Sequence, residues 1–96
     1  MITHTVFFKT KFPEASEEEK NFFTRVGKLA GIPGVKSFQW VKQVSKKNSY
    51  DYGLIMQFDD QELYDDYNAH PDHTTFIEQC WLPAVTDFIE IDHKSF

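Results

Sequence analysis

Two of the four histidines stand three residues apart in the segment Tyr67-Asn68-Ala69-His70-Pro71-Asp72-His73. Imidazole titrates near neutral pH, so such a segment can take a proton from a bound molecule or return one to it. The spacing of His70 and His73 suits one helical face, with Asp72 between them. A closed zinc site wants four nitrogen or sulfur ligands, and only His4 and His93 remain, both distant in sequence, so no metal site is expected. A purely structural use stays open. The segment falls at a helix break, where side chains satisfy loose backbone carbonyls and amides. Asp59-Asp60 with Glu62, and Asp65-Asp66, read as a capped, solvated helix face rather than a cation cage. No Ser-His-Asp order, phosphate loop or dinucleotide fingerprint is present.

The elements that must position these residues follow from patterning. Ile2 to Phe8 predicts a strand with Ile2, His4, Val6 and Phe8 on one face and Thr3, Thr5 and Phe7 on the other. Ser16-Glu17-Glu18-Glu19 is a capping box, followed by Phe22, Phe23, Val26, Leu29 and Ala30 at helical spacing. Gly31, Pro33 and Gly34 stop that helix. Val35 to Val44 alternates as a strand, with Phe38, Trp40 and Val44 opposite Val35 and Val41. Tyr50 to Phe58 is the next, with Tyr52, Leu54, Met56 and Phe58 opposite Ile55. Asp59 or Asp60 caps a helix to about Ala69, whose inner positions are Leu63, Tyr64 and Tyr67. Pro71 interrupts it, and helix resumes from about Thr74 to Trp81. Leu82-Pro83-Ala84 ends the helix, and Val85 to Ile91 is the last strand, with Val85, Ile89 and Ile91 opposite Phe88.

The order β-α-β-β-α-β, with the second helix broken at His70-Pro71, predicts an α+β, ferredoxin-like domain over residues 1–96 with a four-stranded antiparallel sheet. Two apolar helical stripes cover one face of such a sheet, yet the strands carry large apolar groups on both. Pairing of two sheets removes the uncovered patch, so a homodimer is expected. A short chain also gains from the extra burial.

Composition narrows the function classes. The net charge is −5 and the ten Lys and Arg residues are scattered, so neither a nucleic-acid nor a polybasic membrane footprint is expected. Sixteen aromatic residues, ten of them Phe, need a large buried volume. The lone Cys80 permits no internal disulfide and reads as a buried, inert thiol. With no signal peptide ahead of the first strand and no long apolar span, a cytoplasmic protein is expected.

The chain resembles the stress-responsive α/β-barrel (Dabb, dimeric α/β-barrel) family. The resemblance runs over nearly its whole length, on Ile2-Thr3-His4-Thr5-Val6-Phe7-Phe8-Lys9, Gly34-Val35, Tyr50-Asp51-Tyr52, Phe58-Asp59, Ile91-Asp92 and, most specifically, Tyr67-x-x-His70-Pro71-x-His73. The resemblance implies a dimer whose sheets curl into a barrel, with a cleft and no cofactor. The family includes stress-induced plant proteins and a polyketide cyclase that closes its ring by an aldol-type condensation. Its catalytic Tyr and His match Tyr67 and His73, and its first-strand pocket His matches His4. Where that enzyme has a pocket Tyr in its first helix, this chain has Val26, which argues against the same substrate. The expected ligand is a small apolar or phenolic molecule in a cleft floored by His4, Val6 and Phe8, with His70 as a further contact and Tyr67 and His73 at its gate. Two alternatives stand beside plain binding. One is a cofactor-independent enzyme, cyclase-like or monooxygenase-like, using the Tyr/His pair. The other is a non-catalytic stress protein acting through assembly.

Overall fold

A computed structural model describes all residues from Met1 to Phe96. Strand β1 (Ile2–Thr10) leads into helix α1 (Glu17–Gly27), extended by a 3-10 turn at Lys28–Gly31. Strands β2 (Lys36–Lys42) and β3 (Tyr52–Phe58) follow, then helices α2 (Gln61–Ala69) and α3 (Pro71–Phe76). A π turn at Ile77–Trp81 and a short helical turn at Leu82–Ala84 lead into strand β4 (Val85–His93). The sheet is antiparallel in the order β2-β3-β1-β4, which puts the first and last strands side by side. No helix is long and apolar enough to cross a membrane.

Local chemistry explains the helix ends. Ser16 Oγ accepts from the Glu19 amide at 3.2 Å, as the capping box requires. Glu19 in return accepts from the Ala15 amide through Oε1 and from the Tyr52 hydroxyl through Oε2, which ties the start of α1 to β3. Asp60 caps α2 by accepting from the Leu63 amide. Pro71 does more than break a helix. It opens α3 at the first position, where a missing N–H costs nothing, so helix resumes three residues earlier than the spacing predicts. At the far end Pro83 does not stop the chain in a loop. The helix widens instead, with the Leu82 amide donating to Ile77 O, and then passes directly into β4.

Residues directly opposite across antiparallel strands share a face. His4 is thereby grouped with Met56 and Asp92, and Val6 with Leu54 and Glu90, all toward the helices. Phe8, Leu54, Met56 and Phe58 are fully buried there against Phe22, Val26 and Trp81. The opposite face carries Phe7 over Gly53, with Thr5 between Ile55 and Ile91 and Phe7 beside Ile89. Ile89 and Ile91 are 43% and 52% exposed, so this face is apolar and uncovered.

Two strand readings need correction. A register shift between Lys9 and Thr10 brings Val85 to the helix side, packed on the core, so it does not share a face with Ile89 and Ile91. In β2 a register shift between Lys36 and Gln39 accompanies a left-handed Ser37 (φ 52°). Val35 and Phe38 therefore both pack on the core instead of alternating, and Val44 lies exposed beyond the strand.

Candidate functional site

Between the sheet and the second helical segment lies a cavity of about 220 Å³. Its floor is His4 and Val6 of β1 with Leu54 and Met56 of β3. Tyr67 and Asn68 of α2 and His73 and Phe76 of α3 form one wall, and Trp81 closes the back. The exposed side chains of Leu82, Phe88 and Glu90 border its mouth. Ten of the fourteen lining residues are hydrophobic, so the few polar groups decide what orientation a bound molecule takes.

His4, Tyr67 and His73 all line this cavity. The Tyr67 ring lies 4.5 Å from that of His73 and 6.3 Å from that of His4, centroid to centroid. His73 Nδ1 sits 3.1 Å from Asn68 O, an atom that can only accept, so Nδ1 carries the proton and Nε2 is the basic nitrogen. Burial holds the His73 imidazole below its ordinary range, opposed by that carbonyl and by the Glu90 charge and aided by His4. Tyr67 is pushed the other way, its hydroxyl held protonated by burial and then by the charge of Glu90. No protein group bonds the Tyr67 hydroxyl, and no sealed polar side-chain atom lacks a partner, so the hydroxyl opens to the cavity.

His4 is anchored by two residues that the sequence pattern does not pick out as functional. Its Nδ1 lies 2.6 Å from Asp92 Oδ1 and 3.0 Å from the Tyr64 hydroxyl, which itself donates to Asp92 Oδ2 at 2.7 Å. The carboxylate sets the tautomer, leaving His4 Nε2 as an acceptor. Tyr64 is raised by burial first, then by its bond to Asp92. The signal for Asp92 is its register. It is the cross-strand neighbour of His4, visible only once β1 and β4 are paired. His4, Glu90 and Asp92 also hold three potential ligand atoms within 4.8 Å, but Nδ1 and both Asp92 oxygens already serve the hydrogen bonds just described.

Two expected contacts lie elsewhere. Phe8 is fully buried below the floor, against Trp81 at 4.9 Å between ring centroids, and does not line the cavity. His70 lies outside it too, accepting from the Asp72 amide as the cap of α3. Cys80 is only partly buried and receives a hydrogen bond from Arg25 Nη1 at 3.0 Å, so it is not the sealed thiol expected.

The family model for the stress responsive A/B barrel domain matches residues 2–95. The chain belongs to this family. It is 27% identical over 94 residues to a stress-response A/B barrel domain-containing protein of Arabidopsis thaliana, covering 96% of this chain but only 36% of that longer relative. Over 72 residues it is 36% identical to olivetolic acid cyclase of Cannabis sativa, covering 72% of this chain and 70% of the cyclase. Its fold matches the crystal structure of a Dabb family protein from Mesorhizobium loti with a TM-score of 0.97 at 43% identity, over 99% of this chain and 96% of the other. A ferredoxin-like protein of unknown function from Thermobifida fusca, described as dimeric, has the same fold with a TM-score of 0.78 at 21% identity, over 96% and 88% of the two chains. The family domain thus has its ferredoxin-like four-stranded sheet here, as the element order predicts.

Proposed function

We propose that this stress-responsive barrel domain acts as a homodimer that binds a small apolar or phenolic molecule in the cavity, where Tyr67 and His73 can act on it as an acid–base pair. The observation that carries this reading is a pair of polar atoms without a protein hydrogen-bond partner in an apolar cavity, the Tyr67 hydroxyl and His73 Nε2. A neutral imidazole can remove a proton alpha to a carbonyl, and the electron pair then moves to the carbonyl oxygen. A protonated Tyr hydroxyl stabilises that oxygen by donating to it. His4 Nε2 can accept from a ligand hydroxyl across the floor. The 36% identity to olivetolic acid cyclase supports chemistry of this class, and Val26 in α1 counts against the same substrate.

The homodimer is supported by the uncovered face of Phe7, Ile55, Ile89 and Ile91. Burying such area is worth roughly 25 cal/mol per Å² before association costs. A cytoplasmic location fits the single unpaired cysteine.

A thermal-shift screen of phenolic and polyketide-like compounds, followed by a ligand-soaked crystal structure, tests the proposal. Compounds that stabilise the protein and sit between His4 and His73 are the expected result. No stabilising compound, with a cavity filled by side chains in the crystal, contradicts it.

A further inference from the structure

The charge lining the cavity is one-sided. Glu90 reaches its mouth from β4, and its Oε1 lies 3.4 Å from the Tyr64 hydroxyl, so the carboxylate borders the cavity instead of turning wholly to solvent. Its negative charge is felt inside the cavity, where it bears on both Tyr67 and His73. No Lys or Arg lines the cavity to offset it. Inward of Glu90 the Nε2 atoms of His4 and His73 are acceptors. The Tyr67 hydroxyl and the exposed Asn68 amide on the wall are donors, and neither carries a charge. Burial disfavours the imidazolium form of His73, which removes the one nearby cation that could greet an anion on that wall.

Building on the cleft reading above, we infer that Glu90 is a specificity-determining residue that restricts the cavity to neutral, hydroxyl-bearing aromatic molecules and rejects their carboxylates. A neutral phenol donates its hydroxyl to a histidine Nε2 and lays its ring among Phe76, Trp81 and Phe88. A ligand carboxylate loses its hydration on entry, meets a like charge at the mouth and finds no Lys or Arg inside to offset it. The rejection acts through charge rather than shape. A neutral group of the same outline is therefore accepted where the anion is not.

Calorimetric titration at pH 7.5 with 2-naphthol, 6-hydroxy-2-naphthamide and 6-hydroxy-2-naphthoate tests this, because the amide and the carboxylate share one outline. The wild-type protein should bind the amide at least roughly tenfold more tightly than the carboxylate, as juxtaposed like charges require. In Glu90→Gln, which keeps size and hydrogen bonding, the carboxylate should recover to within about threefold of the amide. Equal binding of amide and carboxylate by the wild type overturns the inference while leaving the cleft reading intact. So does a preference that Glu90→Gln leaves unchanged. Failure of all three probes to bind either protein overturns the cleft reading, and this inference with it. Since Glu90 is exposed at the mouth, the Gln variant should fold, which its circular dichroism spectrum confirms before titration.

Discussion

His4 Nδ1 and Asp92 Oδ1 stand 2.6 Å apart on paired positions of the first and last strands. That contact closes the β1–β4 pair on the cavity side and fixes which nitrogen His4 leaves free to accept. Asp92 also takes the Tyr64 hydroxyl, so one carboxylate serves two aromatic partners. Its side chain is 33% exposed, which weakens the pair relative to a sealed one. Asp92→Ala should therefore cost about 1–2 kcal/mol in urea denaturation. The same variant should weaken binding of 2-naphthol, because His4 no longer holds one tautomer. Unchanged stability and unchanged affinity would show the contact to be incidental.

Tyr64 and Tyr67 are three residues apart on one helix but have opposite hydrogen-bond states. Tyr64→Phe loses a bond to a carboxylate and should cost about 1–2 kcal/mol of stability. Tyr67→Phe removes a hydroxyl with no protein partner, so stability should stay within about 0.5 kcal/mol of wild type. Its affinity for 2-naphthol should nonetheless fall. Denaturation and titration of the two variants side by side separate these roles, and a large stability loss in Tyr67→Phe would mean its hydroxyl supports the fold.

The depressed His73 imidazole makes stability depend on acid. The unfolded chain takes up this proton near the ordinary value of 6.5, whereas burial resists it in the folded protein. The stability so contributed is fully present above pH 6.5 and is lost as pH falls through the lowered folded value. Tyr67, raised by burial, works in the other direction. Its contribution is complete below the ordinary value of 10.0 and lost as pH rises through the folded value. Urea midpoints measured from pH 8 down to 5 should fall for wild type and fall less for His73→Gln. Parallel profiles would show that His73 is not the group involved.

Several of these relationships are legible in the residues, and the reasons for the others are specific. The alternation of His4, Val6 and Phe8 is a true face because β1 lies inside the sheet, with both edges paired. The capping box and the Asp60 cap are local, and local signals survive folding. The faces of Val85 and of Val35 with Phe38 escape simple alternation because bulges offset a period of two, and Ser37 carries no residue-type signal for a left-handed backbone. Asp92 meets His4 across 88 positions of sequence, which no spacing rule spans. Tyr64 reads correctly as an inner helix position, but its hydroxyl partner comes from β4. The spacing of His70 fits a ligand contact and a helix cap equally well, and the cap is what it makes.

Gly53 makes room for Phe7. A Cβ at this position would lie 2.4 Å from Phe7 Cε1, and the two residues are direct cross-strand partners on the uncovered face. Gly53→Ala should push the ring outward, destabilise the protein by about 1–3 kcal/mol and weaken the dimer in sedimentation. Adding Phe7→Ala should restore part of the loss in stability, since the two changes share one contact. A fully additive double variant would contradict the packing account.

The uncovered face has its own direct test. Ile91→Glu puts a charge in the middle of the apolar patch and should give a monomer of about 11 kDa in sedimentation, against the dimer expected of the wild type. The change faces away from the cavity and should not unfold the subunit. A wild-type monomer at micromolar concentration would overturn the homodimer.

Nuclear magnetic resonance of the histidine rings during titration with 2-naphthol tests the cavity most directly. Nitrogen and ring-proton signals of His4 and His73 should shift together and saturate, with those of His70 and His93 unmoved, because only the first two line the cavity. Shifts confined to His70 or His93, or no shift in any ring at saturating naphthol, would contradict a ligand site between β1 and α3.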